Sequence, residues 1–141
     1  MGILRIFAVA LAALAAAPAA LAGPHLFVGV ADDGPVWGDP GTQMNLAQTA
    51  GFDSIRMTAQ WVSGNTQLDP VIAAKLRAAT AAAEARGIRP VISIYNTNSV
   101  QAPGDPILRS EFAQFAQNVV LTLPDVETFI GIVRGRTSNS S

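Results

Sequence analysis

An Asp-Pro pair occurs three times in the chain, at Asp39-Pro40, Asp69-Pro70 and Asp105-Pro106, and a segment with helical periodicity follows each pair. An aspartate just before a helix accepts hydrogen bonds from backbone N–H groups that have no partner within the helix. Proline at the first helical position loses no hydrogen bond, because its nitrogen would have had no partner there. The three pairs therefore predict three helix starts and indicate a repeated structural unit.

The ends of these segments are also marked. Gly51 and Gly87 follow the first two segments, and glycine suits the left-handed cap that ends a helix. The third segment ends before Leu123-Pro124. Apolar residues recur at helical spacing in the second and third segments, which predicts one buried stripe on each helix. The stripes are Ile72, Leu76, Ala79 and Ala83 in the second, and Phe112, Phe115, Ala116, Val119 and Val120 in the third.

Four short apolar runs, rich in β-branched and aromatic residues, precede, separate and follow the helical segments, and these runs predict strands. They cover residues 26–31, 52–61, 90–95 and 126–133. Strands that alternate with helices are typical of a parallel sheet built from right-handed crossovers. We therefore expect an α/β fold.

A dinucleotide-binding sheet would carry G-x-G-x-x-G after its first strand. Residues 29–34 instead read Gly-Val-Ala-Asp-Asp-Gly, which has the wrong spacing and places two carboxylates where phosphates would bind. A Walker A sequence is also missing, so the sequence predicts no nucleotide cofactor. A (β/α)₈ barrel typically needs ~250 residues. The parallel β/α repeat and the length together predict a partial TIM barrel, about half of one.

The N-terminus reads as an export signal. Arg5 supplies one positive charge, residues 6–21 are uncharged, and Ala20-Leu21-Ala22 gives the small-x-small pattern before Gly23. We expect a signal peptide at 1–22, a partial barrel domain at 23–133 and a polar tail at 134–141. The exported protein would be secreted and free of the membrane, and a retained anchor is the alternative.

Composition excludes several classes of function. The net charge is -1 with 9 Lys and Arg residues, which gives no electrostatic footprint for nucleic acid or an anionic membrane surface. Cysteine is absent, so no disulfide framework is expected in an exported chain. His25 is the one histidine and lies near the predicted cut, so a Ser-His-Asp triad or a histidine-rich metal site is not expected.

Two segments resemble the secreted cellulase-like glycoside hydrolases of the (β/α)₈-barrel superfamily. Residues 46–61 read Leu-Ala-Gln-Thr-Ala-Gly-Phe-Asp-Ser-Ile-Arg-Met-Thr-Ala-Gln-Trp, where a helix ends in glycine and a strand carries an arginine and a tryptophan. Residues 85–95 read Ala-Arg-Gly-Ile-Arg-Pro-Val-Ile-Ser-Ile-Tyr and are similar to the next unit. The resemblance covers the first three and a half units, and it implies hydrolysis of O-glycosyl bonds in polysaccharides, with carbohydrate as the ligand and no cofactor.

The chain departs from that family where its chemistry is performed. Such enzymes use two carboxylates that flank the scissile bond. The resemblance places the first in an Asn-Glu-Pro after the fourth strand, where residues 134–141 read Arg-Gly-Arg-Thr-Ser-Asn-Ser-Ser. Asp32 and Asp33 alone follow a strand, and as neighbours in an extended chain they would point in opposite directions. We therefore assign no catalytic residue and no metal ligand.

A truncated hydrolase, inactive as this chain alone, is the resulting expectation. Two explanations of the tail stay open: an ordinary polar terminus, or a reading frame that shifts at the catalytic motif. An exported carbohydrate-binding or partner-binding module is the alternative function. A half barrel that self-assembles into a full barrel, as a homodimer, is a second alternative, since a half barrel exposes a sheet edge that favours self-association.

Residues near the predicted strand ends are candidates for binding a sugar. The resemblance places the arginine beneath the active site, although a solvated arginine is the plainer interpretation. Aromatic rings can stack on sugars or pack in a core, and the polar residues can bind hydroxyls or form turns. The candidates are Arg56, Trp61, Tyr95, Asn96, Trp37 and Asp32.

Overall fold

The structure, a computed structural model, describes residues 26–96 and 102–132. The predicted signal peptide, His25 and the predicted polar tail lie outside these residues. Strands and helices alternate along the chain, with one additional short helix after the first strand. The elements are β1 (Gly29–Ala31), α1 (Gly34–Trp37), α2 (Pro40–Thr49), β2 (Ser54–Trp61), α3 (Pro70–Glu84), β3 (Arg89–Asn96), α4 (Pro106–Thr122) and β4 (Thr128–Ile132).

The four strands form one sheet in the order β1-β2-β3-β4, and every neighbouring pair is parallel. Each crossover therefore advances in the same direction across the sheet. Because such crossovers are right-handed, this order places the helices on one face. The predicted α/β class is confirmed, and the sheet is consistent with a partial β/α repeat.

The predicted helix starts are confirmed. Each aspartate before a helix accepts backbone N–H hydrogen bonds through its carboxylate, and a proline occupies the first turn. Gly51 and Gly87 have φ angles of 81° and 69°, the left-handed backbone that ends the first two predicted helices. The donors closest to the carboxylates are Thr42 for Asp39, Val71 for Asp69 and Ile107 for Asp105, at 2.7, 2.8 and 2.8 Å.

The two faces of the central strands have different surroundings. One face, here called the covered face, packs against the helices, and the apolar residues on it are buried. The covered face consists of Ile55, Met57, Ala59, Trp61, Pro90, Ile92, Ile94 and Asn96. The opposite face, here called the open face, consists of Ser54, Arg56, Thr58, Gln60, Arg89, Val91, Ser93 and Tyr95.

The core lies between the covered face and the helices. Trp61 is fully buried, and its ring meets Phe112 of α4 edge-on with centroids 5.3 Å apart. Leu76 of α3 and Phe115 of α4 are also buried there. The predicted stripes are therefore confirmed in their main members, whereas Val120 is 42% exposed.

Two local predictions were incomplete. No helix was predicted between the first strand and Asp39, but Gly34–Trp37 forms α1. Proline in its first turn is compatible with this helix. The first strand is also shorter than predicted. Val28 precedes it and pairs with Asp53, whose backbone N–H donates to the Val28 oxygen at 2.8 Å.

Candidate functional site

A cleft of about 300 Å³ opens at the carboxyl ends of the strands. Ligand sites of parallel α/β folds occur at this end of the sheet, because the loops there are free to vary. The cleft receives residues from the ends of β1, β2 and β3 and from the loop between β2 and α3. Its lining is Asp33, Trp37, Thr58, Gln60, Val62, Asn65, Gln67, Leu68, Asp69, Ile72, Tyr95 and Phe115.

Asp33 fixes one wall of the cleft. The Asp32 N–H donates to the Arg56 oxygen at 3.1 Å, which extends the ladder beyond the end of β1. The next donor on β2, the Thr58 N–H, donates to the Asp33 carboxylate at 2.7 Å. A side chain thus takes the place of a main-chain carbonyl where β1 has ended. This bond holds the start of α1 against β2.

Three aromatic rings line the cleft, and two of them, those of Trp37 and Tyr95, are accessible, whereas Phe115 is buried. Trp37, at the end of α1, is 64% exposed, and the Lys75 Nζ lies 4.8 Å from its ring centroid. A cation at this distance is attracted to the negative face of the indole and limits its movement. Tyr95, near the end of β3, is half-buried on the open face and contributes the second ring. The cleft therefore combines flat apolar surfaces with short polar side chains.

Six carboxylates near this end of the sheet each accept a backbone N–H hydrogen bond. They are Asp32, Asp33, Asp39, Asp69, Asp105 and Glu111. Glu111 connects α4 to the loop after β2 by accepting from the Gly64 N–H at 3.1 Å. The hydrogen bonds that Asp39 accepts from Thr42 lower the pKa of its carboxyl below the ordinary value of 3.8. These carboxylates hold the helix starts and loops that surround the cleft.

The structure brings two of the six predicted sugar-binding residues, Trp37 and Tyr95, into the cleft. Arg56 lies on the open face two residues before Thr58 and is half-buried outside the lining. Within the described part of the chain its guanidinium has no hydrogen-bond partner. Asp32 is exposed at the β1 edge, where its carboxylate accepts from the Gly34 N–H at 2.8 Å.

Trp61 and Asn96 were expected to contact sugar, and the structure places both outside the lining of the cleft. Both are fully buried on the covered face, and they are register partners in neighbouring strands. The Trp61 indole N–H donates to the Asn65 oxygen at 2.8 Å, so this ring supports the loop beneath the cleft. A sugar ring has no access to either side chain, because helix residues cover this face.

Several lining residues were not predicted as site residues. Thr58 and Gln60 alternate with buried residues of β2, so a period of two could have placed them on the same face as Arg56. Asn65 and Gln67 lie in a loop, where the sequence pattern gives no direction for a side chain. Asp33 was considered with Asp32 as a catalytic carboxylate, but only Asp32 was kept as a sugar-binding candidate. In the structure Asp33 lines the cleft and Asp32 does not.

The described residues contain no group of three or more His, Asp or Glu side chains that could hold a metal ion. In residues 26–96 and 102–132, no helix is long and apolar enough to cross a membrane. No protein-family model matches the chain, and no curated protein matches it either.

Proposed function

We propose that the chain binds carbohydrate in this cleft, as the first half of a secreted (β/α)₈ barrel similar to the cellulase-like glycoside hydrolases. The observation that carries the proposal is that an exposed indole, Trp37, and a half-buried tyrosine, Tyr95, line one cleft at the carboxyl ends of parallel strands. Flat aromatic surfaces suit the C–H faces of sugar rings, and short polar side chains suit the hydroxyl groups between them. The strand order supports the barrel assignment, because every crossover advances in one direction, as around a barrel wall.

The charge of the lining favours a neutral sugar. Thr58, Gln60, Asn65 and Gln67 supply uncharged donors and acceptors. The Asp33 carboxylate already accepts the Thr58 N–H. Such a lining can orient a neutral oligosaccharide by hydrogen bonds without having to compensate a ligand charge.

Binding without hydrolysis is the activity we expect of this chain alone. Glycoside hydrolysis needs one carboxyl group that donates a proton and another that acts as nucleophile or base. In the cleft, Asp33 holds β2 and Asp69 caps α3 through the Val71 N–H, so both carboxylates have structural partners. In the family that the chain resembles, the first carboxylate follows the fourth strand, and its partner would come from a strand beyond those described here.

Calorimetric titration with soluble cello-, xylo- and manno-oligosaccharides tests this proposal. The Trp37→Ala variant should bind at least about tenfold more weakly, because a stacking surface is removed. Phe27→Ala is the matched control, since Phe27 is an exposed aromatic residue next to the opposite end of β1. Equal binding by Trp37→Ala and the wild type, or no binding of any oligosaccharide, would contradict the proposal. Release of reducing sugar by the wild type would show that the chain is itself an enzyme.

A further inference from the structure

β1 and β4 are the two edges of the sheet, and within residues 26–96 and 102–132 neither edge pairs with a further strand. Natural edge strands are usually protected by lysine, proline, a bulge or a covering element. β1 reads Gly-Val-Ala and β4 reads Thr-Phe-Ile-Gly-Ile, so neither strand contains a charge or a proline. Both edges can therefore accept another parallel strand.

The side chains of the two edges are complementary in size. By the strand register, Gly29 and Ala31 of β1 lie on the same side of the sheet as the open face. Thr128 and Ile130 of β4 lie on that side too, and Ile130 is 40% exposed. A β4 strand placed beside a β1 strand would set larger side chains next to smaller ones, the arrangement that fills a barrel interior.

We propose that two copies of this chain close into one eight-stranded parallel barrel. A twofold axis along the barrel axis pairs β4 of each copy with β1 of the other, which creates two equal contacts and leaves no edge. Eight strands give an interior that side chains can just fill. The helices of both copies stay outside, and the two open faces become the interior.

The dimer also completes the candidate site. The cleft with Trp37 and Tyr95 occupies one half of the rim at the carboxyl ends of the strands. A second copy would bring an identical cleft to the other half of the same barrel mouth. This inference rests on the strand edges and does not depend on carbohydrate binding.

Sedimentation equilibrium of the protein, expressed from its full coding sequence and purified as the cell processes it, tests the assembly. The wild type should be a dimer, and Ile130→Lys should weaken the dimer at least about a hundredfold, because it would place a charge in the seam beside the small residues Gly29 and Ala31 of the other copy. Ile107→Lys is the matched control, since Ile107 is 72% exposed at the start of α4 and away from both edges. It should leave the dimer unchanged. Circular dichroism should show the same helix content in both variants.

Cross-linking gives a second measurement that does not depend on weakening the dimer. The chain has no cysteine, so Val30→Cys on β1 and Gly131→Cys on β4 would provide its only thiols. A Cβ at Gly131 meets nothing within 4 Å, so the substitution fits. A short bis-maleimide should produce covalent dimers from the double variant, and from a mixture of the two single variants, but not from either single variant alone. A monomeric wild type, a dimer that Ile130→Lys leaves intact, or cross-linking independent of the cysteine pair would each overturn the proposal.

Discussion

The two faces of β2 are made by alternate residues of one strand, yet they have different roles. Ile55, Met57, Ala59 and Trp61 are buried against the helices, whereas Arg56, Thr58 and Gln60 between them are half-buried or exposed. The covered face excludes water and stabilises the fold. The open face joins the cleft at its carboxyl end, where Thr58 and Gln60 line it. Stability and the proposed recognition therefore occupy opposite sides of the same strand.

The largest expected effect tests this division within β2. Trp61→Ala removes a fully buried ring that contacts Phe112, and we expect a loss of ~3–5 kcal/mol in the free energy of unfolding. Arg56→Ala removes a half-buried side chain from the open face and should change it by less than ~1 kcal/mol. Urea unfolding in dilute solution, below the concentration at which a dimer forms, measures both. Similar losses would mean that the open face is packed within a single copy as well.

A smaller effect is expected at the rim, where the neighbouring aspartates can be compared directly. Asp33→Ala leaves the Thr58 N–H without its acceptor in a partly buried position, and we expect a loss of ~1–2 kcal/mol. Asp32→Ala removes an exposed hydrogen bond to the Gly34 N–H, which water can replace, so its effect should be smaller than ~0.5 kcal/mol.

Asp33→Asn is the informative third variant, since it keeps an oxygen acceptor. Thermal unfolding should place it close to the wild type if the hydrogen bond to Thr58 holds the start of α1 in place. A stability of Asp33→Asn as low as that of Asp33→Ala would instead show that the negative charge matters more than the hydrogen bond.

Most of the covered side could be predicted from the sequence, because its signals are local. The Asp-Pro pairs, the glycines after the helices and the apolar spacing of α3 each act within a few residues, and the structure confirms them. The cleft could be predicted only in part. The period of two in β2 favours a buried Trp61, together with Ile55, Met57 and Ala59. No comparable pattern around Trp37 predicts that its ring is exposed at the cleft.

The candidate residues illustrate the same limit. Trp61 is the last residue of β2, and Tyr95 is the next-to-last residue of β3. Because side chains alternate between the two faces of the sheet, Trp61 faces the helices and Tyr95 lies on the open face. Register sets this difference, and Gln60 rather than Trp61 is opposite Tyr95. A shift of β3 by one residue in the register would have moved Tyr95 to the covered face.

The smallest expected effect concerns acid sensitivity, because the covered face of β2 and β3 contains no ionisable side chain, whereas six carboxylates surround the rim. The Asp39 pKa is lowered in the folded chain by its hydrogen bonds from Thr42, so the folded state favours the ionised form. Its contribution to stability is fully present above the unfolded pKa of about 3.8 and is lost as the pH falls through the lower folded value. Thermal unfolding followed from pH 6 to about pH 3 should therefore show a shallower decline in stability for Asp39→Asn than for the wild type.

Glu84→Gln is the control, because Glu84 is exposed at the last turn of α3, away from any helix start. An equal change in slope for both variants would mean that acid sensitivity reflects overall charge rather than the capped rim.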